Sequence, residues 1–170
     1  MEKNIDLVVS AHCILKAYTD VLKRIGDRYG LTMIEIKTLN FLDYYPRLNT
    51  VGDIAEGLLL SKGNVSQAVE KLIRMGYMER KPDTKDRRRV YLYLLPAGSP
   101  LTRTVREEWE RFRGELLSDF TEEDMENYGT IKDKLMRNAR SIIEKEGRGR
   151  SERMALVLLQ AGEKYSPKNG

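Results

Sequence analysis

Ser61, Lys62, Gly63, Asn64, Ser66 and Gln67 crowd short hydrogen-bonding groups into the opening turns of what reads as one helix. Asn and Gln side chains can bond an adenine edge with two hydrogen bonds, hydroxyls suit a base or a phosphate, and a helix N-terminus turns its free amides toward anions. Lys71 carries the same face onward. A second constellation follows in the turn Pro82-Asp83-Thr84-Lys85-Asp86-Arg87-Arg88-Arg89, where Lys85 and Arg87 suit phosphates. Arg88 suits insertion into a narrow groove, with Asp86 two residues earlier to direct its guanidinium. Both clusters point to recognition of a polyanion with readable edges. Neither breaks a bond.

Reaction chemistry is poorly supplied. The chain has 170 residues with one His and one Cys, which leaves no zinc-spaced cluster and no intrachain disulfide. No glycine-rich phosphate loop or recognisable acid pair appears, so neither an enzyme nor a bound metal or cofactor is expected. No apolar run approaches a membrane span and the start lacks signal-peptide character, so the expected address is cytoplasmic. Net charge is only +4. Its placement matters more, because residues 71–89 hold Lys71, Arg74, Arg80, Lys81, Lys85, Arg87, Arg88 and Arg89 against Glu79, Asp83 and Asp86.

Alone, a polar helix face is as often a solvated surface, and a basic turn is more often a solubility feature. The elements around them decide the matter. Ile5, Val8, His12, Leu15, Thr19 and Leu22 form a helical seam over roughly Lys3–Arg28. Thr32 with Glu35 spells a capping box for a second helix that must end before Pro46, and Thr50 with Asp53 caps a short third. Ser61 caps the fourth, Lys62–Met75, which Gly76 ends. Alternating residues then predict strands over Tyr77–Lys81 and Arg88–Leu95, joined by the basic turn. Ser99-Pro100 reads as cap and first residue of a fifth helix striped with Leu101, Val105, Trp109, Phe112, Leu116 and Phe120. Thr121 caps a sixth, striped with Met125, Tyr128, Ile131, Leu135, Ala139 and Ile142. Residues 147–151 read as a basic linker, with a short apolar helix near Met154–Gln160.

The expected fold is mainly α, a helix-turn-helix with a small β-hairpin wing. Its flanking helices are too apolar to stand exposed on a monomer, which makes them dimer surface.

Here the chain resembles the multiple-antibiotic-resistance regulator (MarR) family of winged-helix transcription factors, from about residue 5 to residue 145. Ser61-Lys62-Gly63-Asn64-Val65-Ser66-Gln67, Leu72, Gly76-Tyr77-Met78-Glu79-Arg80 and the wing Asp83 to Val90 carry the resemblance. Family wings usually read D-x-R-D-x-R, so Lys85 replaces an arginine and loses its planar fork. After the wing, Leu95-Pro96-Ala97-Gly98-Ser99-Pro100 lacks the family's usual threonine, which suggests a shifted start to the fifth helix.

The resemblance implies N- and C-terminal dimerisation helices (1–30 and 97–146) around a winged helix-turn-helix domain (31–96), with residues 147–170 as a tail. It implies a homodimer on a pseudo-palindromic double-stranded DNA operator, more often a repressor, released by a small ligand. Aromatic or phenolic anions often bind the family between the dimerisation helices and the winged helix. His12, Lys16, Tyr18, Tyr44, Tyr45 and Trp109 are the candidates here, although packing explains each of them as well. Cys13 stands in the first helix, where one branch of the family carries a peroxide-sensing thiol, but it lies nearer the second helix than that branch places it. Two other readings remain: a winged-helix protein-interaction module, and a thiol-based redox regulator acting through Cys13.

Overall fold

The computed structural model describes residues 3–84, 86 and 89–145. The wing-tip residues Lys85, Arg87 and Arg88, and the tail from 147 with its linker and short helix, lie outside them. The order is α1 (Lys3–Tyr29), α2 (Met33–Tyr44), α3 (Val51–Gly57), α4 (Lys62–Arg74), β1 (Met78–Pro82), β2 (Val90–Leu94), a 3-10 turn (Pro96–Gly98), α5 (Ser99–Leu116) and α6 (Glu122–Lys145).

Local chemistry sets the helix starts. At α2 the Thr32 amide donates to Glu35 Oε2 at 2.8 Å while the Glu35 amide donates to Thr32 Oγ1 at 3.4 Å. The same reciprocal pair joins Thr50 and Asp53 at α3, and Ser61 Oγ accepts the Asn64 amide at 3.2 Å to open α4. Each pair satisfies amides that a helix start leaves without partners.

Three helices stop by one device. After α1, α3 and α4 the chain turns through a left-handed residue, and the next amide bonds a carbonyl five residues back: Leu31 to Gly26 at 2.9 Å, Leu60 to Ala55 at 2.8 Å, Tyr77 to Leu72 at 3.0 Å. Glycine fills the left-handed position after α1 and α4, as Gly30 (φ 67°) and Gly76 (φ 74°). After α3 it is Leu59, at φ 54°.

Helix α2 is the centre of the first unit, packed against α1, α3, α4, α5 and β2. Ile36, Leu39 and Leu42 meet Ile54 of α3, Val65, Val69 and Leu72 of α4, Met78 and Leu92 of the hairpin, and Leu101 and Val105 of α5 in one core, all buried. Full burial of such side chains is worth about 1.5–3 kcal/mol each. That load fixes α4 by its apolar face and leaves its polar face outward.

The hairpin is antiparallel, with Met78 opposite Leu94, Arg80 opposite Leu92 and Pro82 opposite Val90. β1 lies one residue further along than the Tyr77–Lys81 that the alternation suggested, and β2 runs Val90–Leu94, inside the expected Arg88–Leu95. A two-stranded ribbon is marginal alone. Here the Leu92 amide donates to the Asn49 carbonyl at 2.8 Å, so the loop before α3 holds the inner strand.

One cap is corrected. Ser99 does not cap α5, because it already has helical angles (φ −62°, ψ −35°) at the end of the 3-10 turn, which follows extended Leu95. Pro96 explains the earlier start, since a first helical residue needs no amide partner and proline's φ is already suitable. A β-carbon at Gly98 would stand 2.8 Å from Leu94 Cδ1 and 3.0 Å from the Tyr77 carbonyl, so glycine lets this turn press on the hairpin base.

The chain forms two compact units divided after Leu116. In the second, Thr121 and Asp124 exchange the capping bonds of α6, at 2.9 and 3.2 Å. Met125, Tyr128, Ile131, Leu135, Met136 and Ile142 are exposed along that helix in the single chain.

Candidate nucleic-acid interface

Helix α4 turns Val65, Ala68, Val69 and Leu72 into the core and leaves Ser61, Lys62, Gly63, Asn64, Gln67, Glu70 and Arg74 exposed, with Ser66 half-buried. The polar set named from sequence thus lies together over the first two turns. Gly63 sits in open space, with Ser61 Oγ 3.9 Å from where a β-carbon would be. Backbone there is accessible to a close-approaching partner.

Two charges on this helix are already engaged. Glu70, an acid that would repel phosphate, accepts from Arg80 of β1 at 2.5 Å. Lys71, expected to continue the contact face, instead donates to Glu35 Oε2 at 2.9 Å and to the Gly30 carbonyl at 3.0 Å. Burial raises the Glu35 pKa, but the hydrogen bonds from Lys71 and the Thr32 amide and the nearby ammonium outweigh it, so the carboxyl lies below its usual range.

The described part of the wing is held by its own acids. The Asp86 amide donates to Asp83 Oδ1 at 2.9 Å, the Asp83 amide to the Arg89 carbonyl at 2.9 Å, and the Arg89 amide to the Asp86 carbonyl at 2.8 Å. Asp86 Oδ2 lies 3.9 Å from Arg89 Nε with both side chains exposed, a weak solvent-screened pair. The expected direction of Arg88 by Asp86 falls outside the described residues. On the strands, Lys81 Nζ meets Glu79 at 2.6 Å and lies 5.2 Å from the Tyr93 ring centroid.

The ligand candidates separate into groups. Tyr18 meets Trp109 edge-on at 4.8 Å between centroids, with Phe112 at 5.9 Å, where α1 packs on α5. Burial pushes the Tyr18 hydroxyl's pKa up, so it stays protonated and able to donate. Tyr44 and Tyr45 are neighbours at the end of α2, with the Arg106 guanidinium 6.0 Å from the Tyr44 ring. Lys16 is tied to Asp20 at 2.7 Å, and His12 and Cys13 are exposed on α1. Among the described residues, no cluster of His, Cys, Asp and Glu could hold a metal, and no helix is long and apolar enough to cross a membrane.

Sequence reasoning missed the Arg80–Glu70 and Lys71–Glu35 pairs. Their partners lie 10 and 36 residues apart, beyond the reach of local spacing rules.

Residues 29–89 match the model of the MarR family. The uncharacterized HTH-type transcriptional regulator YcgE of Bacillus subtilis is 29% identical over 97 residues, 57% of this chain and 62% of that protein. A second from the same organism, YkoM, is 34% identical over 76 residues, 45% of this chain and 49% of its own length. The chain therefore spans about half to three-fifths of the curated relatives it matches. Among solved structures, MarR family transcription regulator SP03579 superposes with a TM-score of 0.70 at 18% identity, over 84% of this chain and 94% of that one. A MarR family protein from Bacillus stearothermophilus gives 0.68 at 20%, over 82% and 98%. At these identities the likeness is one of fold.

Proposed function

Because the chain belongs to the MarR family through its winged helix-turn-helix, we propose that it is a sequence-specific double-stranded DNA-binding transcription regulator. One observation carries the reading: an exposed, capped polar face on α4, Ser61 to Gln67, beside a hairpin whose tip is basic. A recognition helix enters the major groove by its N-terminal half, where Asn64, Ser66 and Gln67 reach base edges and Ser61 and Lys62 meet phosphate. Arg88 enters the adjoining minor groove, flanked by Lys85 and Arg87 on phosphates. The Arg80 bond to Glu70 supports this, because it neutralises the acid on the contact face.

The protein acts as a homodimer, each subunit reading half of a pseudo-palindrome. The exposed apolar residues Val9, Ile14 and Leu15 of α1 support this, as do, within the second unit, Met125, Tyr128, Ile131 and Leu135 of α6, since large apolar side chains recurring along one helix are seldom left in water by a monomer. It represses, and a small aromatic or phenolic ligand releases it by favouring a head spacing that misfits the duplex. The Tyr18–Trp109–Phe112 cluster, with a hydroxyl that stays a donor, supports a place for such a ligand near α1 and α5.

The test is selection of duplexes from a random DNA pool at near-physiological salt, followed by binding across a salt series. An enriched inverted repeat with half-site centres about 34–36 Å apart is expected. Its affinity should fall with a log–log slope of about −0.9 per phosphate contacted. Absence of any enriched motif, with binding that vanishes as salt rises, refutes the reading and favours a protein-interaction module.

A further inference from the structure

We infer that Lys71 and Glu35 form a joint that aims the reading helix, and that Lys71 is a positioning residue rather than a phosphate contact. The inference rests on the DNA-binding reading above and refines the role of one residue in it.

The geometry is a three-way tie. The Lys71 ammonium, in the third turn of α4, donates to Glu35 Oε2 at 2.9 Å and to the Gly30 carbonyl at 3.0 Å. The same Glu35 oxygen accepts the Thr32 amide at 2.8 Å. One charge thus fastens the residue that stops α1, the first turn of α2 and the flank of α4. It does so one helical turn beyond Gln67, on the side of α4 that faces α2.

Environment argues against a move to phosphate. The Glu35 side chain is 9% exposed and the Lys71 side chain 34%. Drawing the ammonium away would leave a nearly buried carboxylate without its cation, which is far costlier than losing an exposed pair. A lysine free to reach DNA would not need a sequestered acid 36 residues away in the chain. Gly30 extends the consequence to α1, because a shift of that helix pulls on the same ammonium that steadies α4.

The two roles give opposite signs for Glu35→Gln. Were Lys71 a phosphate contact, removing the acid would free the ammonium and delete a negative charge, so DNA affinity would rise. As a joint, its loss loosens α4, and operator affinity falls. Gln keeps the size of Glu and can still cap Thr32, so the fold is retained.

The experiment measures wild type, Glu35→Gln and Lys71→Met on a selected operator and on a random duplex, each across a salt series, with unfolding melts alongside. Expected are operator affinities lowered about tenfold in both variants, the loss of one charge-assisted bond. Random-duplex affinity and the operator salt slope should stay as in wild type. Tighter binding by Glu35→Gln, or a Lys71→Met slope shallower by about 0.9, overturns the joint. Should Lys71→Met fail to fold, the sign for Glu35→Gln decides alone. If wild type itself distinguishes no operator from random duplex, the DNA-binding reading fails first and the joint with it.

Discussion

Leu59→Gly should stabilise this protein, and the gain can be estimated from its backbone. Leu59 ends α3 at φ 54°, in the position that glycine takes after α1 and α4. Left-handed angles cost a side-chain-bearing residue roughly 1–2 kcal/mol, because Cβ crowds the following carbonyl. Glycine returns about 0.4–1 kcal/mol of that through the greater freedom it gives the unfolded chain. Lost burial hardly enters, since Leu59 is 90% exposed, and at ~25 cal/mol/Å² the small covered area is worth a few tenths of a kcal/mol at most. The net expectation is a gain of about 0.5–1 kcal/mol. With a urea m-value of about 2 kcal/mol/M, the midpoint should rise by roughly 0.3–0.5 M with m unchanged. The assay is equilibrium urea unfolding at one fixed protein concentration, with Gly76→Leu as the reverse control, which should lose stability. A midpoint for Leu59→Gly equal to or below wild type would refute the claim that this turn is strained.

Gly57→Ala reverses the usual propensity rule: a helical alanine should gain up to about 1 kcal/mol, but its β-carbon would enter the Phe41 ring, 2.7 Å from Cζ. Overpacking at about 1–3 kcal/mol wins, so a urea midpoint below wild type is expected, and one above it would show that Phe41 can move aside. The depressed Glu35 carboxyl stabilises the fold fully above its ordinary value of 4.5 and loses that contribution as pH falls through its lower folded value. Relative to Glu35→Gln, wild type should therefore hold a constant advantage near neutrality that shrinks below about pH 4.5; a constant difference down to strong acid would contradict it. Gln67→Ala should relax preference at one base pair more than it weakens non-specific binding, as competition with single-base operator variants would show. Arg88→Ala should weaken operator binding by ~1–3 kcal/mol, and unchanged affinity in a titration would remove the wing from the interface.

The helix caps were readable because capping is local. Thr32 with Glu35, Thr50 with Asp53, Ser61, and Thr121 with Asp124 each act within three residues, and all four appear as the spacing suggests. The inward face of α4 was readable for the same reason, since Val65, Val69 and Leu72 follow the helical period into the core. Ser99 misled because serine before proline is an ordinary cap signal, while Pro96 could begin the turn sooner and Gly98 let it pack. The Lys71 bond was not legible because Glu35 had been assigned wholly to a cap, and it both caps α2 and accepts from Lys71. Tyr18 and Trp109 were named only among six ligand candidates that the resemblance implies, and the contact between them is a packing result that no spacing rule supplies.

The carbonyl of Asn49 that receives the Leu92 amide makes the wing a graded element in time as well as in space. Its inner strand is locked to the loop before α3, while Lys81 and Val90 toward the tip are exposed. Hydrogen–deuterium exchange should therefore find the Leu92 amide among the slowest in the described residues, opening only with the whole fold, and the amides of Lys81 and Val90 exchanging by local fraying. A ribbon clamped at the middle of its inner strand stays in register with the loop before α3 even where Lys81 and Val90 open to solvent.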